Sequence, residues 1–102
     1  MEKNHDCLQS IIAVMNIFGS KWTFIIINEL NSGAKRFNQL RKGLNINTKS
    51  LSDTLKHLES NGIISRNVYP TMPVTVEYAL TEKGRDFDSV LNAMRDWQMR
   101  WL

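Results

Sequence analysis

The sequence predicts a mainly helical domain carrying one small β-hairpin, and three observations lead there. Apolar residues recur at helical spacing in separate short stretches. These stretches are punctuated, with Ser, Thr, Asn or Asp where a helix would be capped and Gly where one would stop. One region alone, Ile63 to Leu80, turns to β-branched and aromatic residues in partial alternation, and it holds both prolines of the chain. With 102 residues the chain has room for one domain. Its 42% hydrophobic and 23% charged residues match a folded protein, so no segment is set aside as disordered.

The first helix is expected to start at Asp6, a capping carboxylate with Gln9 in the capping-box position. Leu8, Ile11, Ile12, Met15 and Phe18 then repeat at helical intervals, and Gly19 ends the run. Ser20 caps a second helix, Lys21 to Leu30, apolar on most of its surface and therefore central to the core. Lys35 to Phe37 reads as a short extended piece. Asn38 is the expected cap of a short helix that turns Leu40 and Leu44 inward, followed by a turn from Gly43 to Asn47. From Thr48 to Asn61 the apolar residues are Leu51, Leu55 and Leu58, a single narrow stripe, and Gly62 supplies the stop. Ile63 to Tyr69 and Val74 to Leu80 are two antiparallel strands joined by Pro70 to Pro73, because proline lacks the N–H that a strand interior needs. Thr81 caps one last helix with a wide apolar face of Phe87, Val90, Leu91, Met94, Trp97 and Trp101.

Basic residues outnumber acidic ones by 13 to 10, a net charge of +3 that permits a polyanionic partner. The single cysteine, Cys7, has no internal disulfide partner, and residues 1 to 20 carry no secretory pattern, so a cytoplasmic location is expected. The longest nearly apolar run, Trp22 to Ile27, is too short to span a membrane. His5 and His57 stand apart with no metal-ligand spacing around them, so no metal is expected. No glycine-rich phosphate loop and no catalytic pair is visible, and Asn28, Glu29, Asp86 and Asp88 read as capping or solvent-facing residues. The chain is expected to be no enzyme and to need no cofactor.

Three compact helices followed directly by a hairpin make a winged helix-turn-helix, whose third helix lies in the DNA major groove. At about 100° per residue, Lys49, Asp53, Lys56 and Ser60 lie opposite the Leu51 stripe, with Ser50, Ser52 and His57 at its sides. Thr48, Lys49, Ser50, Ser52 and Asp53 are the candidates for base contacts: Lys donates to guanine, Ser and Thr contact several bases, and Asp accepts from cytosine. Lys35, Arg36, Arg41, Lys42, Lys56 and Arg66 are candidates for phosphate contacts. In the wing, Pro70 and Pro73 stiffen the tip. Tyr69, Thr71 and Thr75 are expected to touch DNA backbone or minor groove there, since the tip has no Lys or Arg.

With these motifs in place, the chain resembles the HxlR-type family of winged-helix transcriptional regulators, relatives of the MarR group. The resemblance rests on Gly19-Ser20-Lys21-Trp22, Arg36-Phe37-Asn38-Gln39-Leu40, Leu58-Glu59-Ser60-Asn61-Gly62-Ile63-Ile64 and, above all, Val68 to Arg85. It implies a small dimeric DNA-binding protein. Surface area argues for a dimer independently. A domain of this size cannot cover Leu8, Ile11, Ile12 and Met15 on the first helix as well as Phe87, Val90, Leu91, Met94, Trp97 and Trp101 on the last. The expected organisation is an N-terminal helix (1–19), a winged-helix core (20–80) and a C-terminal dimerisation helix (81–102). A two-fold homodimer would read an inverted repeat, with half-sites about one helical turn apart.

Cys7 is placed in the first turn of the first helix, where the dipole favours a thiolate and Lys3 and His5 are near, although Asp6 opposes the shift. The resemblance implies a sensor of electrophiles, aldehydes or oxidants at this cysteine. Where the family pattern commonly has Cys-Pro, this chain has Cys7-Leu8. The expected function is therefore a homodimeric repressor that binds double-stranded DNA and senses electrophiles or oxidants through Cys7. The alternative is a winged-helix module that binds protein and not DNA.

Overall fold

The computed structural model describes residues 2–102, with side chains from Asp6 onward. Helix α1 (Glu2–Phe18) begins earlier than expected. No Gly or Pro stands between Glu2 and Asp6 to interrupt it, so Asp6 lies inside the helix and does not cap it. Cys7 is thereby beyond the first turn, outside the reach of the helix dipole, and its thiol is exposed. The Lys3 and His5 side chains lie outside the described residues.

Helix α2 (Lys21–Leu30) leaves α1 at 73°. Ser20 caps it as expected, its Oγ accepting from the Thr23 N–H at 3.4 Å, while the buried Thr23 hydroxyl donates to the Ser20 carbonyl at 2.6 Å. Strand β1 (Lys35–Arg36) passes straight into α3 (Phe37–Leu44). The cap of α3 is Arg36, whose N–H is taken by Gln39 Oε1 at 2.8 Å, and Asn38 is the second residue of the helix. Pairing of Lys35 with Tyr78 and Arg36 with Glu77 holds the backbone extended up to Arg36 and puts the boundary there. Gly43 is helical, contrary to the expected turn. The helix stops at Asn45, which takes the left-handed conformation (φ 52°) that Asn tolerates better than most residues.

Helix α4 (Thr48–Ser60) is capped by Asn47, whose Oδ1 accepts from the Ser50 N–H at 2.8 Å. It ends one residue before Asn61, and Gly62 follows with φ 74°. Strands β2 (Ile64–Tyr69) and β3 (Thr75–Leu80) pair antiparallel from Ile64↔Leu80 to Tyr69↔Thr75, leaving Ile63 and Val74 just outside the ladder. Because β1 joins the other edge of β3, the hairpin is part of a three-stranded sheet in the order β1-β3-β2.

The expected last helix is two helices, α5 (Glu82–Asp86) and α6 (Asp88–Trp101), broken at Phe87. Thr81 Oγ1 caps α5, accepting from the Gly84 N–H at 3.1 Å. A Cβ on Gly84 would come within 2.2 Å of the Ile63 carbonyl oxygen, so α5 is pressed against the start of the sheet. At the break, the Phe87 ring stacks on Phe18 with centroids 3.9 Å apart, beside Phe24. Beyond that anchor α6 projects from the domain, and none of its residues is buried. The core lies between α2, α3, α4 and the sheet. It is built on Ile26, Ile27, Leu40, Leu51, Leu55, Leu58, Ile63 and Ile64.

Candidate nucleic-acid interface

The geometry of α4 follows from its three leucines. Leu51, Leu55 and Leu58 are buried against α2, α3 and the sheet, which turns Lys49, Asp53, Lys56 and Ser60 outward. Thr48 is also exposed, whereas Ser50 and Ser52 are half-buried at the edges of the face. Lys49 Nζ and Asp53 Oδ2 form an ion pair of 3.0 Å across one turn, with side chains 86% and 62% exposed. Such a pair holds the ammonium over the helix and gives way easily to a stronger acceptor, because exposed pairs of this kind contribute only about 0.3–0.5 kcal/mol.

The wing meets this helix in a cleft of about 370 Å³ lined by Ser52, Leu55, Lys56, Glu59, Arg66 and Tyr78. Three of the candidate contact residues, Ser52, Lys56 and Arg66, are thus brought together from α4 and β2. Glu59 and Tyr78 share the cleft and were not among the candidates. Glu59 follows Ser52 and Lys56 on one helical face, a spacing visible in the sequence, whereas Tyr78 arrives only through its pairing with Arg66 across the sheet.

Other candidates lie elsewhere. Arg36 lines a separate cleft of about 710 Å³ between the start of α3 and the Pro73 to Glu77 stretch. Lys35 Nζ donates to Ser32 Oγ at 2.9 Å. Arg41 and Lys42 occupy the last turn of α3, where their charges also suit the negative end of the helix dipole. At the wing tip the Thr71 hydroxyl donates to the Pro73 carbonyl at 2.7 Å and lies 2.8 Å from Thr75 Oγ1. These hydroxyls close the tip on itself. Tyr69 is exposed, and Met72, between the two prolines, is 98% exposed. Two further cations hold the fold together: Lys83 Nζ donates to the Asn61 carbonyl beyond α4 at 2.8 Å, and Arg85 Nη1 to the Leu80 carbonyl at 2.9 Å. His57, expected at the side of the recognition face, bonds to the end of α1.

Among the candidates for the dimer seam, Leu8, Ile11, Ile12 and Met15 on α1 and Val90, Met94, Trp97 and Trp101 on α6 are exposed. Phe87 and Leu91 instead pack in part against the protein's own core. Among the described residues no three His, Cys, Asp or Glu side chains assemble into a metal site, and no single helix is long and apolar enough to cross a membrane.

This arrangement has counterparts. The family model described as HxlR-like helix-turn-helix matches residues 17–102. An HTH-type transcriptional regulator of Synechocystis is 40% identical over 102 residues, covering 99% of this chain and 74% of that one. The redox regulator HypR in its oxidized form superposes with a TM-score of 0.80 at 34% identity, over 89% of this chain and 95% of its own. Quinone-bound YodB from Bacillus subtilis does so with a TM-score of 0.80 at 31% identity, over 91% and 99%.

Proposed function

The chain belongs to the HxlR-like helix-turn-helix family of transcriptional regulators, and from that premise we propose that it represses transcription as a cytoplasmic homodimer on an inverted-repeat operator. The observation that carries the reading is the cleft between α4 and the wing, where Ser52, Lys56 and Arg66 converge beside the outward Lys49–Asp53 pair. A groove-entering helix flanked by two cations on the wing side combines base readout with phosphate attraction. Thr48, Lys49, Ser50, Ser52 and Asp53 read bases; Lys56 and Arg66 hold one phosphate strand, and Arg36 from the end of β1, with Arg41 and Lys42 from α3, approaches the backbone.

The homodimer forms through the exposed stripes of α1 and α6. Cys7 lies directly before the first residue of the α1 stripe, so a change at its sulfur falls on the seam. We therefore assign Cys7 as the sensor. Addition of its thiolate to a quinone forms one S–C bond with no leaving group, the proton going to the reduced ring. A two-electron oxidant would instead join the two Cys7 sulfurs of a dimer as a disulfide. The structures of HypR and YodB named above are a redox regulator and a quinone-bound protein, and they support this chemistry by kinship.

The test is selection of bound duplexes from a random pool by the wild-type chain, with and without a quinone, followed by binding across salt concentrations. A recovered inverted repeat, bound with a steep salt dependence and released by quinone, is the expected result. Absent or salt-independent DNA binding would return the chain to the reading of a protein-binding module. Release that persists in Cys7→Ser would remove Cys7 as the sensor.

A further inference from the structure

His57 Nε2 lies 2.9 Å from the carbonyl oxygen of Ile17, joining parts of the chain 40 residues apart. A carbonyl only accepts, so Nε2 carries the proton and donates. Ile17 is in the last turn of α1, whose carbonyls have no partner within the helix. The imidazole supplies one, in the position where a helix C-terminus favours a donor. His57 projects from α4 one turn after Asp53, and the two line a cleft of about 300 Å³ together with Asn16, Ser20 and Thr23 of the α1–α2 corner.

Helices α1 and α4 each pack on α2, so this bond is a direct connection added to an indirect one. It links the helix whose apolar stripe faces outward to the helix that carries the DNA-reading residues. We propose that His57 is a positioning residue: it sets the angle between α1 and the recognition helix, so that the geometry of the dimer seam is transmitted to the spacing of the two DNA-reading faces. The second half of this statement rests on the DNA-binding reading above.

Since His57 is exposed and the adjacent Leu55 and Leu58 stay buried without it, His57→Ala is expected to fold. His57→Gln keeps an N–H donor of similar reach. One arm needs no DNA: amide hydrogen exchange in the full chain. The last turn of α1 is expected to exchange about five-fold faster in His57→Ala, an effect of the size of one exposed hydrogen bond, and at the wild-type rate in His57→Gln. The other arm measures affinity for the wild-type-selected duplex and for a random-sequence duplex of equal length. His57→Ala should weaken the selected duplex about five-fold and leave the random one unchanged, with recovery in His57→Gln, because a lost bond of about 1 kcal/mol acts only where both half-sites must be met in register. Unchanged exchange in His57→Ala would overturn the tie. Altered exchange with equal loss on both duplexes, or with no loss, would overturn its positioning role. If the wild type selects no sequence, the DNA-binding reading fails and with it the positioning role, while the tie itself is still decided by the exchange arm.

Discussion

Lys49 and Asp53 were expected to read bases separately, and in the free protein they hold each other at 3.0 Å. On the proposed reading, the ammonium would exchange its carboxylate partner for a guanine edge on DNA, and the carboxylate would be released to accept from cytosine. Lys49→Ala should therefore flatten preference at one base pair by about 1–3 kcal/mol, read by competition between the selected duplex and its single-base variants. Arg66 sits differently, at the base of the wing beside Lys56. Arg66→Ala should weaken binding to every sequence alike and lower the slope of log affinity against log salt by about one. A normal slope in that variant would remove Arg66 from the phosphate contacts. Which residues sit on the outer face of α4 was legible from its leucine stripe. That Arg66 would join Ser52 and Lys56 was not, because the register of β2 on β3 and the packing of α4 on the sheet bring them together.

Helix starts were legible where a side chain makes the cap. Ser20 and Thr81 each accept from a backbone N–H in the first turn of the helix that follows, and Asn47, read from the sequence only as the end of a turn, does the same for α4. Asn47→Ala should lower stability by about 1 kcal/mol in urea unfolding, and it should reduce DNA affinity further because it frays the turn that carries Lys49 and Ser50. Helix boundaries were missed where the cause is remote. Arg36 ends β1 because β3 pairs with it, and Phe87 breaks the last helix because its ring stacks on Phe18. The break also depends on Gly84, against which the Ile63 carbonyl leaves no room for a Cβ. Gly84→Ala should cost about 1–3 kcal/mol by overpacking, measured by thermal unfolding. A neutral outcome would mean that α5 shifts freely on the sheet.

The molecule as a whole is more open than its length requires. Its radius of gyration is 15.6 Å, against about 13 Å for a compact chain of 100 residues. Its accessible surface is 7343 Å², roughly 1,400 Å² above the value of about 5,900 Å² expected for its 11.8 kDa mass. The excess is of the order that one partner contributes to a permanent dimer interface. It belongs to the projecting α1 and α6, where Ile12 and Trp97 are about half exposed. Ile12→Asp combined with Trp97→Ser should convert a dimer into a monomer at micromolar concentration by sedimentation equilibrium, and thermal unfolding should become less stable and independent of concentration. A monomeric wild type would contradict the dimer.

The sequence by itself determined the order of helices and strands as far as the break at Phe87, the caps at Ser20 and Thr81, the stripe that orients α4, and two apolar faces too large for one small domain. These are local or compositional properties, expressed in spacing along the chain and in the ratio of surface to volume. Only the tertiary structure decided that β1 completes the sheet, that α1 runs past Asp6 and leaves Cys7 beyond its first turn, and that His57 reaches Ile17. It also decided that Ser52, Lys56, Glu59 and Arg66 share one cleft while Arg36 lines another. Such meetings depend on packing between elements far apart in the chain, for which neither helical nor strand periodicity carries a signal.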